Sequence, residues 1–380
     1  MTSSYIHLVG ALFATICAVS SIHAENWDRF RGPNGAGQSD ATGIPSEWKA
    51  ENFLWRQSLP GVGHSCPVVW DKRLFITSAD SGTGEQILQA FDVVSGTPLW
   101  ERRAPAGSYS INGLNSLASS TPAVDTNHVY VMWLTNGHVK LAAWTHAGEP
   151  VWERDIGEFQ EQHGFGKSPV VVDGLVWVAN DSEADSAIVA LDALSGDLRW
   201  KIPRPSGDTS FASPCVFDPK AQHKQLLAAS TAAGLTGVHV ETGQVAWQLK
   251  DELPVRCVGS PIVAGGLMIA TCGQGGNGKV LVAAKPGDAQ HGPEVVYRLQ
   301  QNVPQVPTPI VAGDLLFLWH DRGVVSCHDV ATGRQIWRER VGGDFHSSPI
   351  RIGDRILAAS RAGEVVVLAA APKFEVLARN

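Results

Sequence analysis

A tandem repeat constrains the fold of this 380-residue chain more than any other feature of its sequence. A proline, in most cases after Ser or Thr and before apolar residues, recurs seven times at intervals of 40 to 55 residues. That period is typical of one four-stranded propeller blade and is longer than a leucine-rich or ankyrin repeat. The seven anchors are Pro67, Pro122, Pro169, Pro214, Pro261, Pro309 and Pro349.

Each period predicts four short strands. The anchor opens the first strand, and a turn such as Asp173-Gly174 leads to the second. The third strand ends in Asp-x-x-Ser/Thr-Gly, as at residues 92–96, where Asp bonds the turn backbone and Gly adopts positive φ. The fourth strand carries an aromatic side chain that we expect to dock on the next blade, at a cost of ~3–5 kcal/mol if removed. These docking residues are Trp55, Trp100, Trp152, Trp200, Trp247, Tyr297 and Trp337.

The repeat predicts an all-β fold, a β-propeller of four-stranded antiparallel blades. One such sheet leaves both faces exposed to water, so the sheets must stack and close into a ring. Residues 374–377 supply the fourth strand of the seventh repeat, whereas residues 53–57 resemble a fourth strand with no first three strands before them. We therefore expect seven complete repeats plus an eighth blade that the chain leaves incomplete, with a seven-bladed ring as the alternative.

The start of the chain predicts export. An apolar run from Leu8 to Val19 and the small residue Ala24 form a secretory signal peptide over residues 1–24, followed by an N-terminal arm over 25–52 and the propeller over 53–380. The apolar run is too short to span a membrane, and the residues before Cys17 do not favour lipidation. We expect a periplasmic or secreted monomer, and the net charge of −7 argues against nucleic acid as the partner.

The cysteines do not form a metal-binding pattern. Five remain after the signal peptide, none adjacent and none in a CxxC pair, so we expect no metal site and interpret them as small buried apolar residues. Cys257 and Cys272 flank one predicted hairpin, and the sequence leaves a disulfide between them open.

The Asp-x-x-Ser/Thr-Gly-x-x-x-Trp units resemble those of the PQQ-binding-like propellers, a superfamily of quinoprotein dehydrogenases and BamB-like proteins. With residues 27–35, 63–67 and 374–380, the chain is similar to exported planctomycete members of the BamB-like group. The resemblance implies a non-catalytic scaffold that binds a protein or peptide in the cell envelope. The alternative is a periplasmic PQQ-dependent oxidoreductase acting on an alcohol or sugar, with PQQ and calcium as cofactors. The dehydrogenases resemble one another in having adjacent cysteines over the quinone, a pair this chain lacks, so no catalytic residue is assigned.

Propeller ligands bind where the loops before the innermost strands converge on the axis. The candidate ligand-binding residues are therefore those that precede the anchor prolines. Two of them are histidines at the same repeat position, three residues before the proline. These side chains either bind a small ligand or anion, or bond loop carbonyls around a wet channel; the two histidines leave a metal as a further alternative, although a metal needs a third donor. They are His64, His163, Lys167, Asp208, Arg256, Gln305, Asp344 and His346.

Overall fold

Seven sheets make up the described part of the protein, one for each repeat; six have four strands and the seventh has a fifth strand. The computed structural model describes residues 26–380 except 106, 108, 220–222 and 289, so the predicted signal peptide lies outside the described residues. The four strands of each repeat follow chain order within their sheet and pair antiparallel. First strands of neighbouring blades contact one another, which places them nearest the axis. The prediction of an all-β propeller is confirmed.

The strands are numbered in chain order, with β1 (Gln38–Ser39) in the N-terminal arm. Blade 1 holds β2 (Val68–Trp70), β3 (Arg73–Ala79), β4 (Gln86–Asp92) and β5 (Pro98–Ala104), and blade 2 holds β6 (Ala123–Val124), β7 (His128–Thr135), β8 (His138–Thr145) and β9 (Pro150–Glu158). Blade 3 holds β10 (Val170–Val172), β11 (Leu175–Asn180), β12 (Ser186–Asp192) and β13 (Leu198–Arg204), and blade 4 holds β14 (Cys215–Phe217), β15 (Gln225–Ser230), β16 (Gly234–His239) and β17 (Val245–Leu249).

Blade 5 holds β18 (Ile262–Ala264), β19 (Leu267–Gln274), β20 (Asn277–Lys285) and β21 (Glu294–Leu299), and blade 6 holds β22 (Ile310–Ala312), β23 (Leu315–Trp319), β24 (Val324–Asp329) and β25 (Gln335–Arg340). Blade 7 holds β26 (Ile350–Ile352), β27 (Arg355–Ala359), β28 (Val365–Ala369) and β29 (Val376–Arg379), and β1 pairs in parallel with β26. Two short 3-10 helices, Pro33–Gly35 and Ala50–Asn52, lie in the arm. No helix among the described residues is long and apolar enough to cross a membrane.

The turn after the third strand forms as predicted. In blade 1 the Asp92 carboxylate accepts hydrogen bonds from the backbone amides of Val94 and Ser95, at 3.1 and 2.8 Å. Hydrogen bonds to the Ser95 amide and hydroxyl are the largest causes that lower the pKa of Asp92. Gly96 then adopts φ +68°, where a side chain would also collide with an indole.

That indole is the side chain of Trp55, and docking residues of later repeats lie against the equivalent glycine of the next blade. Trp152 stacks on Gly196 of blade 3 and donates its Nε1 hydrogen to the Ala193 carbonyl at 3.2 Å. Carbonyls in equivalent turns accept from Trp55, Trp100, Tyr297 and Trp337, while the Trp247 indole bonds Gln225 within its own blade and the Trp200 ring packs on Gly243.

The predicted strand at residues 53–57 is wrong, since these residues form no strand. A strand needs a hydrogen-bonded neighbour, and the described residues before this segment contain no third strand of a blade. Trp55 nevertheless docks on Gly96 and donates to the Val93 carbonyl at 2.9 Å, because docking needs only the indole. The described residues therefore form seven sheets and no part of an eighth.

The core is divided among the blade junctions. Six buried apolar clusters fill the junctions from blades 1 and 2 through blades 6 and 7. The arm crosses from blade 7 to blade 1, where the Asn380 side chain accepts from the Trp48 amide at 2.8 Å and donates to the Ser46 carbonyl at 2.9 Å. Chain segments outside the blades thus connect the first blade to the last.

Candidate functional site

The N-terminal arm occupies the axis of the ring. Trp27 pairs with Val69 of blade 1, the Asp28 carbonyl accepts from Val124 of blade 2, and the Asn34 side chain bonds both backbone groups of Val216 in blade 4. With β1 on β26, the arm contacts the first strands of four blades. The sequence analysis predicted an arm but not its place in the channel.

Two buried arginines of the arm fill the channel. Arg31 is 3% exposed and donates to the carbonyls of Pro349, Pro309 and Gly35 at 2.9, 3.2 and 3.1 Å. Arg29 is equally buried and donates to the Pro214 carbonyl. Burial lowers the pKa of Arg31 to about 10 and lowers that of Arg29 as well. The inner strands therefore converge on two cations, and the anchor-proline carbonyls stabilise these charges by accepting hydrogen bonds from them.

The end of the channel at the anchor prolines is called the mouth, formed by residues 61–66, 116–121, 161–168, 207–213, 255–260, 304–308 and 344–348. A belt of hydroxyl groups forms its base. The amides of Cys66, Thr121, Ser213, Ser260 and Thr308 each donate to the hydroxyl of the residue before the next blade's anchor, at 2.9 to 3.0 Å. This explains why Ser or Thr recurs before the anchor proline.

Two predicted residues meet at the mouth around a carboxylate that the sequence analysis missed. The Glu161 side chain is fully buried, bonds the His163 ring, and forms an ion pair with Arg256 at 3.2 Å. Burial by itself would raise the pKa of Glu161, but the hydrogen bonds and the Arg256 charge outweigh it and lower the pKa. His163 and Arg256 remain partly exposed, so their outer faces are available at the mouth.

Lys167 lies deeper, below the Glu161 group. Its ammonium is buried and donates to the carbonyls of Ala179, at 3.1 Å, and Asp181. Burial lowers the pKa of Lys167 to about 7, although the Asp181 charge opposes the shift. Asp181 forms a buried ion pair with Arg204 at 3.2 Å. Ser65 and Ser347, at the same repeat position, bond the equivalent second-strand carbonyls, so Lys167 takes the place of a structural hydroxyl.

The remaining candidates are placed apart from that group. His64 and His346 lie close enough that the His64 charge contributes to lowering the pKa of His346, whose largest cause is burial. Asp208 and Asp344 are exposed. Gln305 holds the loop of blade 5 through its Oε1, which accepts from Gly276 at 2.6 Å. The structure therefore brings together His163, Arg256 and Lys167 on one side, and the two other histidines on another.

The mouth does not fit the calcium and quinone of the dehydrogenases. Its buried carboxylates already have protein donors: Glu161 binds Arg256, Asp181 binds Arg204, and Asp321 accepts from the Gln305 and Val306 amides at 2.8 and 3.1 Å. A calcium ion needs six or more oxygen ligands, which these groups would have to give up their present partners to supply. No cluster of three or more potential metal ligands occurs within the described part of the chain.

One cavity lies beside blade 5 and is not lined by the residues of the mouth. It measures about 500 Å³ and lies on the rim of blade 5, lined by Asp251, Lys279 and the Glu252–Arg298 ion pair among others. This open, charged recess lacks the apolar lining of typical small-molecule sites.

The sequence and the fold are similar to those of BamB proteins. A curated relative, the outer membrane protein assembly factor BamB of Burkholderia pseudomallei, is 26% identical over 292 residues, covering 72% of this chain and 64% of the relative. The chain thus spans about two-thirds of that relative's length. The BamB structure from Moraxella catarrhalis matches with a TM-score of 0.55 at 20% identity, covering 78% of this chain and 79% of that one.

A europium-containing methanol dehydrogenase matches with a TM-score of 0.57 at 12% identity, covering 91% of this chain and 89% of that one. Identities this low show the shared fold alone. The sequence profile described as outer membrane protein assembly factor BamB matches residues 47–132, 84–318 and 298–372. Because these matches span most of the chain, the protein belongs to the BamB family of PQQ-like repeat propellers.

Proposed function

We propose that the protein is an exported, non-catalytic scaffold that binds a protein or peptide partner of the cell envelope at the mouth of its channel. The observation that carries the proposal is the filled axis: Arg29 and Arg31 close the channel below the mouth. With the channel closed there, a ligand can reach only the residues of the mouth, and their mixed polar side chains suit a protein segment better than an enclosed substrate.

The chemistry of the rim supports a protein partner. Arg256 and His163 present partly exposed donors on one side, while Asp208 and Asp344 present exposed carboxylates elsewhere on the rim. Charges of both signs argue against a polyanionic partner and favour a mixed polar surface. Arg256 is held by Glu161, so it is presented without loss of side-chain freedom on binding.

The test is capture of the partner from an envelope extract of the source organism. The purified protein, Arg256→Ala, His64→Ala and the control Lys224→Ala are used as baits. Lys224 pairs with Asp173 in turns at the far end of the blades, so its removal leaves the mouth intact. We expect one dominant protein bound by the wild type and the control and reduced at least tenfold by Arg256→Ala. Equal capture by all four proteins would refute the mouth as the contact surface.

Oxidoreductase activity is the competing function, because the fold is shared with a methanol dehydrogenase. Purified protein is mixed with pyrroloquinoline quinone, calcium, an alcohol or sugar, and an acceptor dye. We expect neither a change in quinone absorbance nor dye reduction, because the carboxylates of the mouth are engaged by Arg204, Arg256 and backbone amides. Dye reduction that depends on the quinone would overturn the scaffold proposal.

Export and a monomeric state complete the proposal. Cleavage after Ala24 would leave a mature protein beginning at Glu25, directly before the described arm. Terminal sequencing of the protein from a periplasmic fraction tests the cleavage site, and light scattering tests the monomer. An uncleaved terminus or a stable dimer would contradict the respective part.

A further inference from the structure

Two free thiols lie on neighbouring chain segments inside blade 5. Cys257 is in the mouth segment 255–260, and Cys272 is in β19. Both side chains are fully buried in one apolar cluster with Leu253 and Met268. The sequence left a disulfide between them open, and the structure now gives the relation between their backbones.

The backbone places the two cysteines opposite each other. The Gly273 amide donates to the Arg256 carbonyl at 3.0 Å, so the mouth segment runs beside the end of β19. The same contact in blade 1 is a full antiparallel bridge, in which Val62 and Ala79 exchange hydrogen bonds of 2.9 and 2.8 Å. In antiparallel pairing, the residues next to such a hydrogen-bonded pair face each other with Cα atoms about 4.5 Å apart.

Blade 1 shows how close that next pair lies. Its members are Gly63 and Ser78, and a Cβ added to Gly63 would lie 3.3 Å from the Ser78 Cα. The equivalent residues in blade 5 are Cys257 and Cys272. A Cα separation of about 4.5 Å falls within the range that a disulfide spans. The Cys257 sulfur lies 3.9 Å from the Val255 carbonyl and therefore points along the segment rather than into solvent.

We propose that Cys257 and Cys272 are a disulfide-forming pair that fastens the mouth segment carrying Arg256 to β19. The oxidant is a low-molecular-weight or protein disulfide. One thiolate attacks it to give a mixed disulfide and release one thiol, and the second cysteine then displaces the other thiol. Two S–H bonds are lost and one S–S bond forms, while the oxidant takes up both electrons and both protons as two thiols.

Burial sets the rate of this reaction. It raises the pKa of the Cys257 thiol well above its usual value, and it raises that of Cys272. Only the thiolate attacks, so in the folded protein the exchange has to wait for local opening of segment 255–260. During refolding, both thiols are accessible before the segment packs.

The test compares native and refolded protein in a buffer of oxidised and reduced glutathione. Samples are quenched with acid, alkylated with N-ethylmaleimide, digested and analysed by mass spectrometry. We expect a linked peptide joining Cys257 to Cys272 in the refolded sample. Cys215, which shares their apolar cluster but lies on β14, and Cys327, which lies in another cluster, should both be alkylated. Both cysteines fully alkylated after refolding, or linked to a different cysteine, would overturn the proposal.

Stability provides a second readout. The bridge closes a loop of about 15 residues, for which the expected rise in unfolding midpoint on oxidation is about 4 °C. Cys272→Ala should abolish the rise and Cys327→Ala should keep it. If Cys272→Ala does not fold, the linked peptide in the wild type still decides the question. A linked peptide without any rise would refute the fastening of the segment.

Discussion

The docking of Trp152 provides the most direct test of how the blades hold together. Trp152→Ala removes an indole that is 8% exposed, stacks on Gly196 and bonds the Ala193 carbonyl. Trp55→Ala is the matched variant, because Trp55 makes the same two contacts from a segment that is not a strand and is only half-buried. Comparing the two variants separates docking between two complete blades from docking of segment 53–57 on blade 1.

The expected costs in the free energy of unfolding differ by about 1–3 kcal/mol. Trp152 buries roughly 200 Å² of apolar surface, which at about 25 cal/mol per Å² corresponds to about 5 kcal/mol. Alanine retains part of that burial, so we expect a loss of about 3–5 kcal/mol in the free energy of unfolding. Trp55 is more exposed than Trp152 and supports no strand ladder, so its loss should cost less, about 2 kcal/mol.

Urea unfolding followed by tryptophan fluorescence and circular dichroism measures both values. The denaturant dependence should stay the same in the two variants, since the unfolded surface is nearly unchanged. Equal losses of unfolding free energy for Trp152→Ala and Trp55→Ala would show that the indole contributes the same from segment 53–57 as from between two complete blades. In that case the argument that stacked sheets derive their stability from buried docking residues would be refuted.

Three further predictions concern the axis and the mouth. Arg31→Lys keeps the charge, but a lysine cannot reach the carbonyls of two blades at once. We expect the free energy of unfolding in urea to fall by about 2–4 kcal/mol and proteolysis of the arm to become faster. An unchanged rate of cleavage would contradict this. Because the pKa of Lys167 is lowered to about 7 in the folded state, the unfolded chain binds more protons between pH 7 and about 10.5. Stability should therefore rise with pH there by up to about 1.4 kcal/mol per pH unit from this group, and Lys167→Met but not the exposed control Lys224→Met should flatten the curve. The pKa of Glu161 is lowered in the folded state, so its contribution to stability is present above its pKa in the unfolded chain and is lost as the pH falls through its pKa in the folded protein. Glu161→Gln should therefore make the free energy of unfolding less dependent on pH below about pH 5. An unaltered pH dependence would argue against the Arg256 ion pair.

Local patterns in the sequence were sufficient to predict the blades. The turn at Asp92 and the docking of Trp152 depend on residues close in sequence or on a repeated spacing, so a single chain reveals them. The prediction for segment 53–57 failed for the opposite reason, because its alternation matched a strand while no strand among the described residues pairs with it. Strand formation there depended on a neighbour that no local pattern can supply.

The mouth was predicted in part. The anchor prolines located the converging loops, and His163, Lys167 and Arg256 do lie on one side of them. Glu161 was missed because a glutamate in a polar loop looks solvated, and only its full burial under Arg256 distinguishes it. The Ser or Thr before each proline and the two arginines are visible in the sequence, but their partners are not. The hydroxyl groups bond a neighbouring blade, and Arg29 and Arg31 bond carbonyls up to 185 and 318 residues away.

The arm in the axis has a consequence for how the chain reaches its native state. Residues that leave the ribosome early acquire their final contacts only when the last-made blades arrive, as the Arg31 bonds to carbonyls 278 and 318 residues later require. Such distant contacts slow folding, since the chain loses the entropy of closing long loops before the contacts stabilise it. Until the sixth and seventh blades form, the Arg31 guanidinium remains hydrated, so completion of the ring and withdrawal of this cation from water are a single late event.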